Sequence, residues 1–378
     1  MTLRRNDRKS RARALGSLIL KLALSALLFF VLGEVLARQL SFIDRMNAFP
    51  RQMYTSTKVA DLPYALRPGI RVTRGSRDGE YEVRVNRLGF RGADVEERPA
   101  DGVHRVLVLG DSVAFGEGLV ESDSFPVLLE AALNAGRHGS YEVINAGVSG
   151  FNTSAEAALL REGGLPLHPS TIVLAVSFND FGPTPVITRS GVLSAAQAGQ
   201  PRSSWLGDHS EFVVLLRWLV TYAKGEHPFQ IMAAAATREG SDEQIWERVE
   251  QAVAKRHQQF YQNPRGKGWE RIRLALEDIR DLAATNDARL LVVLFPEQFQ
   301  VTDTTGPNTS VPTELLSPQR AWLRLCRALD LDCIDLHPAF QAASERDLFM
   351  DMQHPNAAGH RIAARATAVA IRRSVPVP

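Results

Sequence analysis

VLVLGDSVAFGEGL, residues 106–119, decides the fold. Its first four residues are apolar, two of them β-branched valines, and Gly110 closes the run, the pattern of a strand buried on both faces of a parallel sheet. Open sheets of this kind gather ligands at the carboxyl ends of their strands. Ser112, two residues past Gly110, therefore stands where such proteins keep their chemistry. The helix signal Ser122-Asp123-Ser124-Phe125-Pro126 follows, with proline in the first turn.

Working outward, four more apolar β-like runs follow Arg105–Leu109: Tyr141–Asn145, Thr171–Ser177, Arg289–Phe295 and Asp332–Leu336. Helical patterns lie between them near 124–135, 153–163, 268–285 and 317–329, with a last one at 356–373. Strands alternating with helices predict a doubly wound α/β domain over 104–378, built on a five-stranded parallel sheet. An insertion of about 181–267 breaks the rhythm. It carries the apolar helix pattern Ser210–Lys224 and the charged one Asp242–Tyr261, and is expected to cap the core, a lid or membrane contact being the other reading. Upstream, residues 37–103 read as a tether with an accessory β segment. Residues 71–92 alternate as a hairpin around Ser76-Arg77-Asp78-Gly79, with no chemistry evident.

The chain has 378 residues, 45% hydrophobic, with 44 basic and 42 acidic residues for a net charge of +2. It can bury a large core, and no global field points to nucleic acid as a partner. The asymmetry is local: residues 1–13 hold Arg4, Arg5, Arg8, Lys9, Arg11 and Arg13 against Asp7, directly ahead of an apolar stretch broken only by Lys21. Residues 14–36 are expected as a transmembrane signal-anchor with the basic tail in the cytoplasm and the rest outside it, in the periplasm of a cell with an inner membrane. A cleavable signal ending near Val35-Leu36-Ala37 is the rival. The two cysteines, Cys326 and Cys333, fit either a disulfide or two buried thiols. Oligomeric state is not legible.

Four blocks fall at the expected rim of the sheet: GDS (110–112), NAGVSG (145–150), SFND (177–180) and DMQHPN (351–356). In this order the blocks resemble the SGNH, or GDSL, hydrolase family, over roughly Arg105–Ile371 without the insertion. The resemblance implies a flavodoxin-like three-layer fold and a serine hydrolase acting on esters. It makes Ser112 the nucleophile, with Asp351 and His354 completing the catalytic set. It assigns the oxyanion hole to the backbone amides of Ser112 and Gly150 and the side-chain amide of Asn179, with Gly147 the weaker candidate.

These residue types suit acyl transfer. A serine needs a base in hydrogen-bond reach, the base needs a partner that fixes its tautomer, and the developing oxyanion needs preorganised donors. Asp351 and His354 are three apart, so one short loop brings them together. No GxSxG elbow, GxGxxG, Walker A, HExxH or CxxC pattern occurs, so no cofactor or metal is expected, and His360 reads as a helix residue. The expected function is a membrane-anchored extracytoplasmic esterase deacylating a cell-envelope glycan or lipid. The alternatives are an O-acyltransferase acting on an envelope polysaccharide and a non-catalytic scaffold.

Overall fold

In chain order, a computed structural model gives the helix α1 (Thr2–Gln39), the strands β1 (Tyr54–Val59), β2 (Leu62–Leu66), β3 (Arg71–Ser76), β4 (Gly79–Arg84) and β5 (His104–Gly110), then the short helix α2 (Ser112–Phe115) and α3 (Phe125–Asn134). There follow β6 (Tyr141–Gly147), α4 (Thr153–Leu159), β7 (Thr171–Val176), β8 (Val186–Ile187), β9 (Leu193–Ser194), α5 (Glu211–Ala223) and α6 (Lys267–Thr285). The chain closes with β10 (Arg289–Leu294), α7 (Gln298–Val301), α8 (Ser317–Ala328), β11 (Asp332–Asp335), α9 (His337–Gln341) and α10 (Ala357–Ser374). The structure describes residues 2–39, 52–76, 79–136, 140–177, 180, 186–187, 193–194, 210–223, 267–301, 316–343, 347–351 and 353–374. The charged pattern expected at Asp242–Tyr261, and Lys224, lie outside them.

The five apolar runs form one parallel sheet in the order β11-β10-β7-β5-β6. Counted along the chain this is 2-1-3-4-5, the flavodoxin-like order, whose switch point lies between the first and third strands. Val106, Leu107, Val108 and Leu109 are fully buried. Alternation sends Val106 and Val108 to the face that packs Phe125, Leu129 and Leu133 of α3 and Ala364, Ala368 and Ile371 of α10. Those α3 residues recur every fourth position, the stripe a helix needs to lie on a sheet. On the other face α4 packs against α6, and Leu107 reaches Gly164 in the turn after α4. Three layers result, and a cavity-forming change such as Leu107→Ala costs about 2–5 kcal/mol.

The expected hairpin is β3–β4, antiparallel with Ser76 opposite Gly79. A second hairpin, β1–β2, precedes it and was not singled out from the sequence. Both lie in the same compact unit as the sheet. Their packed faces carry Tyr54, Tyr64, Leu66, Tyr81 and Val83, all buried. Cys326 of α8 and Cys333 of β11 are joined in a disulfide.

The helices α1 and α5 form the other compact unit. Leu15–Gln39 is 25 residues, long and apolar enough to cross a membrane; its most apolar 18-residue stretch has a mean hydropathy of 2.4, and none of that stretch is buried. Glu34 receives three hydrogen bonds at the start of α5: from Ser210 Oγ (2.7 Å), the Phe212 amide (3.0 Å) and the Glu211 amide (3.2 Å). Phe212 stacks edge-on against Phe29 and Phe30.

Candidate active site

Gly110 ends β5 and Asp111 caps α2, its Oδ1 accepting the Val113 amide at 2.9 Å. That turn swings Ser112 onto the carboxyl rim at the switch point between β5 and β7. Gly147, opposite Gly110 in the next strand, lies directly under α2: a Cβ there would come within 2.3 Å of the Phe115 nitrogen. Its amide donates to Asn145 Oδ1 at 3.0 Å. Gly150, three residues on, has φ +81°, a conformation open chiefly to glycine.

His354 comes to Ser112 from a loop ahead of α10, far along the chain. Its Nε2 lies 2.9 Å from Ser112 Oγ, and its Nδ1 lies 2.8 Å and 3.0 Å from the two carboxylate oxygens of Asp351. Asp351 Oδ1 also accepts the amides of Gln353 and His354, each at 2.8 Å. Asn356 caps α10 through Oδ1, which accepts the Ala358 amide at 2.9 Å and the Gly359 amide at 3.1 Å, so the loop feeds a fixed helix start. Burial pushes the Asp351 carboxyl up, but the hydrogen bond and charge of His354 and the two amides outweigh it and hold its pKa below the usual value. For His354, burial favours the neutral ring. The hydrogen bond and charge of Asp351 overcome that, Glu117 and Asp111 add their charge, and the imidazole pKa is raised.

Of the five site residues expected from the sequence, four are described: Ser112, Asp351 and His354 make one hydrogen-bonded line, and Gly150 sits on the adjoining loop. Asn179 lies outside the described residues. His360 is a buried residue of α10, its ring held neutral by burial with a pKa near 3.

Several neighbours are not among the expected site residues, although Asp111, Ser177 and Asp180 lie within two of the four blocks. Ser177 Oγ donates to Asp111 Oδ2 at 2.6 Å, and the Ser177 amide donates to Asp180 Oδ2 at 3.0 Å. Behind them Glu156 is fully buried, and neither of its oxygens has a hydrogen-bond partner among the described residues. Burial, with the charges of Asp180 and Asp111, raises its pKa far above normal. Arg91, also buried, donates to the carbonyls of Phe115, Gly116 and Leu119 at 2.6–2.7 Å and fastens the loop after α2. Arg74 of β3 pairs with Glu117. Beside that loop opens a cavity of ≈ 420 Å³ whose lining includes Glu80, Tyr81, Gly118, Asp123, Asn356 and Arg361, but not Ser112, Asp351 or His354.

Residues 108–362 match the family model of the GDSL-like lipase/acylhydrolases. The chain belongs to that family. It is an ester hydrolase of the GDSL type, and the five-stranded parallel sheet is the family's fold. Among solved structures the acylhydrolase is similar to an alpha/beta hydrolase enzyme from the metagenome of Lake Arreo, Spain, at 15% identity over 72% of this chain and 97% of that one, with a TM-score of 0.39. It is similar to an acetyl xylan esterase at 14% identity over 71% and 99% of the two chains, TM-score 0.41. A carbohydrate acetylesterase family member from Sinorhizobium meliloti gives 15% over 72% and 98%, TM-score 0.36. No curated protein matches the sequence.

Proposed function

We propose that this acylhydrolase is anchored in the inner membrane, works outside the cytoplasm, and removes an acyl group, acetyl in the simplest case, from a cell-envelope glycan or lipid. The observation that carries the reading is the line Ser112 Oγ–His354–Asp351, with contacts of 2.9 and 2.8 Å. Ser112 Oγ attacks the ester carbonyl as its proton passes to His354 Nε2. The tetrahedral oxyanion rests on the amides of Ser112 and Gly150 and on the side chain of Asn179. The C–O bond then breaks, the imidazolium returns the proton to the departing alcohol, and water repeats the sequence on the acyl-enzyme to release the acid and restore Ser112.

Two features support the anchored, extracytoplasmic setting. Cleavage near Ala37 would remove Glu34, whose carboxylate satisfies the first amides of α5, so the unit of α1 and α5 favours an uncleaved helix. The Cys326–Cys333 disulfide suits an oxidising compartment. As for topology, a reporter active only outside the cytoplasm should work when fused after Pro378, and the full-length mass should persist in membranes.

The deciding experiment treats the detergent-solubilised full chain with a fluorophosphonate probe and assays acetate release from acetylated oligosaccharides. Covalent label on Ser112, and loss of both label and turnover in Ser112→Ala, are expected. Turnover that survives in Ser112→Ala overturns the assignment, and acetylated product without free acetate would replace hydrolysis by transfer.

A further inference from the structure

Tyr64, on the accessory strand β2, donates its hydroxyl to the Ser149 carbonyl oxygen at 2.8 Å, closing a contact across 85 residues. That carbonyl belongs to the same planar peptide as the Gly150 amide. In a trans peptide the C=O and N–H point in opposite directions, so whatever fixes the carbonyl fixes the amide. We propose that Tyr64 is a positioning residue of the oxyanion hole, which aims the Gly150 amide at the ester oxygen by holding the Ser149–Gly150 peptide from behind. The inference rests on the reading of Ser112 as nucleophile and Gly150 as oxyanion donor.

Three further observations support it. Gly150 has φ +81°, and glycine gives its peptide wide rotational freedom, so the orientation needs an outside restraint. Ser149 is held a second time, its Oγ donating to Glu117 Oε2 at 2.7 Å, while Glu117 pairs with Arg74 of β3 and accepts from Tyr81 of β4 at 3.4 Å. Tyr64 itself has no freedom to drift. It is fully buried, with Tyr54 and Phe151 edge-on to its ring at 5.4 and 5.1 Å. Burial, then the charges of Tyr54 and Asp111, push its phenol pKa up, so the hydroxyl stays a donor across any assay range. A donor on the carbonyl also polarises the amide of the same peptide, a cooperative gain smaller than the gain from orientation. The accessory β segment is on this view part of the catalytic apparatus.

Tyr64→Phe tests this in the full-length protein, because it keeps the ring and removes only the hydroxyl. With p-nitrophenyl acetate, kcat should fall roughly tenfold, less than the 10²–10³ expected when an oxyanion donor is itself removed. Acylation and deacylation both pass through the oxyanion, so KM should stay within about twofold, and the pH dependence should not move. Rates are taken per site titrated by fluorophosphonate, so any loss of folded protein lowers the number of sites and not kcat. Tyr141→Phe, which removes the hydroxyl of another buried tyrosine at the far end of the sheet, should leave kcat unchanged. A kcat per site within twofold of wild type in Tyr64→Phe overturns the inference while label remains on Ser112. A raised KM with unchanged kcat does the same, since it would assign Tyr64 to substrate binding. Absence of label on Ser112 would instead bring down the reading beneath it.

Discussion

The two loops that flank Ser112 are held in opposite ways. The loop carrying Asp351 and His354 is bound largely by hydrogen bonds within itself, with Gln353 Nε2 also donating to Glu297 Oε1 at 3.3 Å. Asp351 accepts the amides two and three residues on, the Met350 amide donates to the His354 carbonyl at 2.8 Å, and Asn356 Nδ2 reaches only nine residues back, to Asp347 O. The loop carrying Ser149 and Gly150 is fastened from afar, by Tyr64 across 85 residues and by Glu117 across 32. On the proposed roles, the proton-handling half of the site is therefore mostly local, and the charge-stabilising half is tied to the accessory hairpins by Tyr64 and, through Glu117, by Arg74 and Tyr81. Lesions in the first should disturb protonation while leaving the fold intact. Those in the second should reach the reaction through orientation or through charge.

Asp351→Asn strikes the local loop and carries the largest expected effect. The retained oxygen still accepts the amides of Gln353 and His354, so the loop keeps its shape. The new amide group cannot stabilise the imidazolium and favours the wrong tautomer, and kcat should fall about 10⁴-fold with little change in Tm. Stopped-flow or long-time-course hydrolysis measures it. A loss under about a hundredfold would mean that the Asp351 carboxylate does not govern His354.

The same contrast explains what could be read from the sequence. The parallel sheet was legible because its five strands are continuous apolar runs, and Ser112, Asp351 and His354 were legible because each block sits at a strand end or helix start. The hairpin β3–β4 was legible too, yet its role was not. Arg74 and Tyr81 alternate with exposed residues in the manner of any surface hairpin. Their partner Glu117 lies in a loop with no periodicity, and Tyr64 meets Ser149 only through the folded topology. One signal was available: three of the six tyrosines, Tyr54, Tyr64 and Tyr81, fall in a short stretch otherwise read as accessory. Buried phenols need partners. The packing of α5 against α1 through Glu34 was equally hidden, because a single acid after an apolar run reads as the end of a span.

Glu117→Gln sharpens the comparison, because Glu117 serves the remote loop through a hydrogen bond and His354 through its charge. Hydrolysis requires neutral His354, so kcat/KM falls as the pH drops through the imidazole pKa. The anions that favour the imidazolium are Asp351 first, then Glu117 and Asp111. Removing the Glu117 charge destabilises the protonated ring, and the acid limb of the kcat/KM profile should move to lower pH. Tyr64→Phe, which alters no charge, should leave the limb in place. If both variants shift the limb, or neither does, the division between orientation and charge fails.

The smallest effect concerns stability alone and lies beneath the remote loop. Burial first, and then the charges of Asp180 and Asp111, raise the pKa of Glu156 of α4 and so favour its protonated form in the fold. In the unfolded chain it titrates near its ordinary 4.5. A group raised in this way contributes its full stability below the unfolded value. That contribution declines as the pH rises, until the buried carboxyl itself ionises or the fold gives way. Burial and the charge of Asp111 raise Asp180 as well, so it contributes in the same direction. Wild-type Tm should therefore fall between pH 5 and pH 8. In Glu156→Gln, which cannot ionise, the fall in Tm between the two pH values should be smaller than in wild type. The variant should be no more stable than wild type at pH 5, where its buried amide replaces an already neutral acid. Calorimetry at the two pH values separates these outcomes, and an unchanged slope would show that Glu156 is ionised in the native protein.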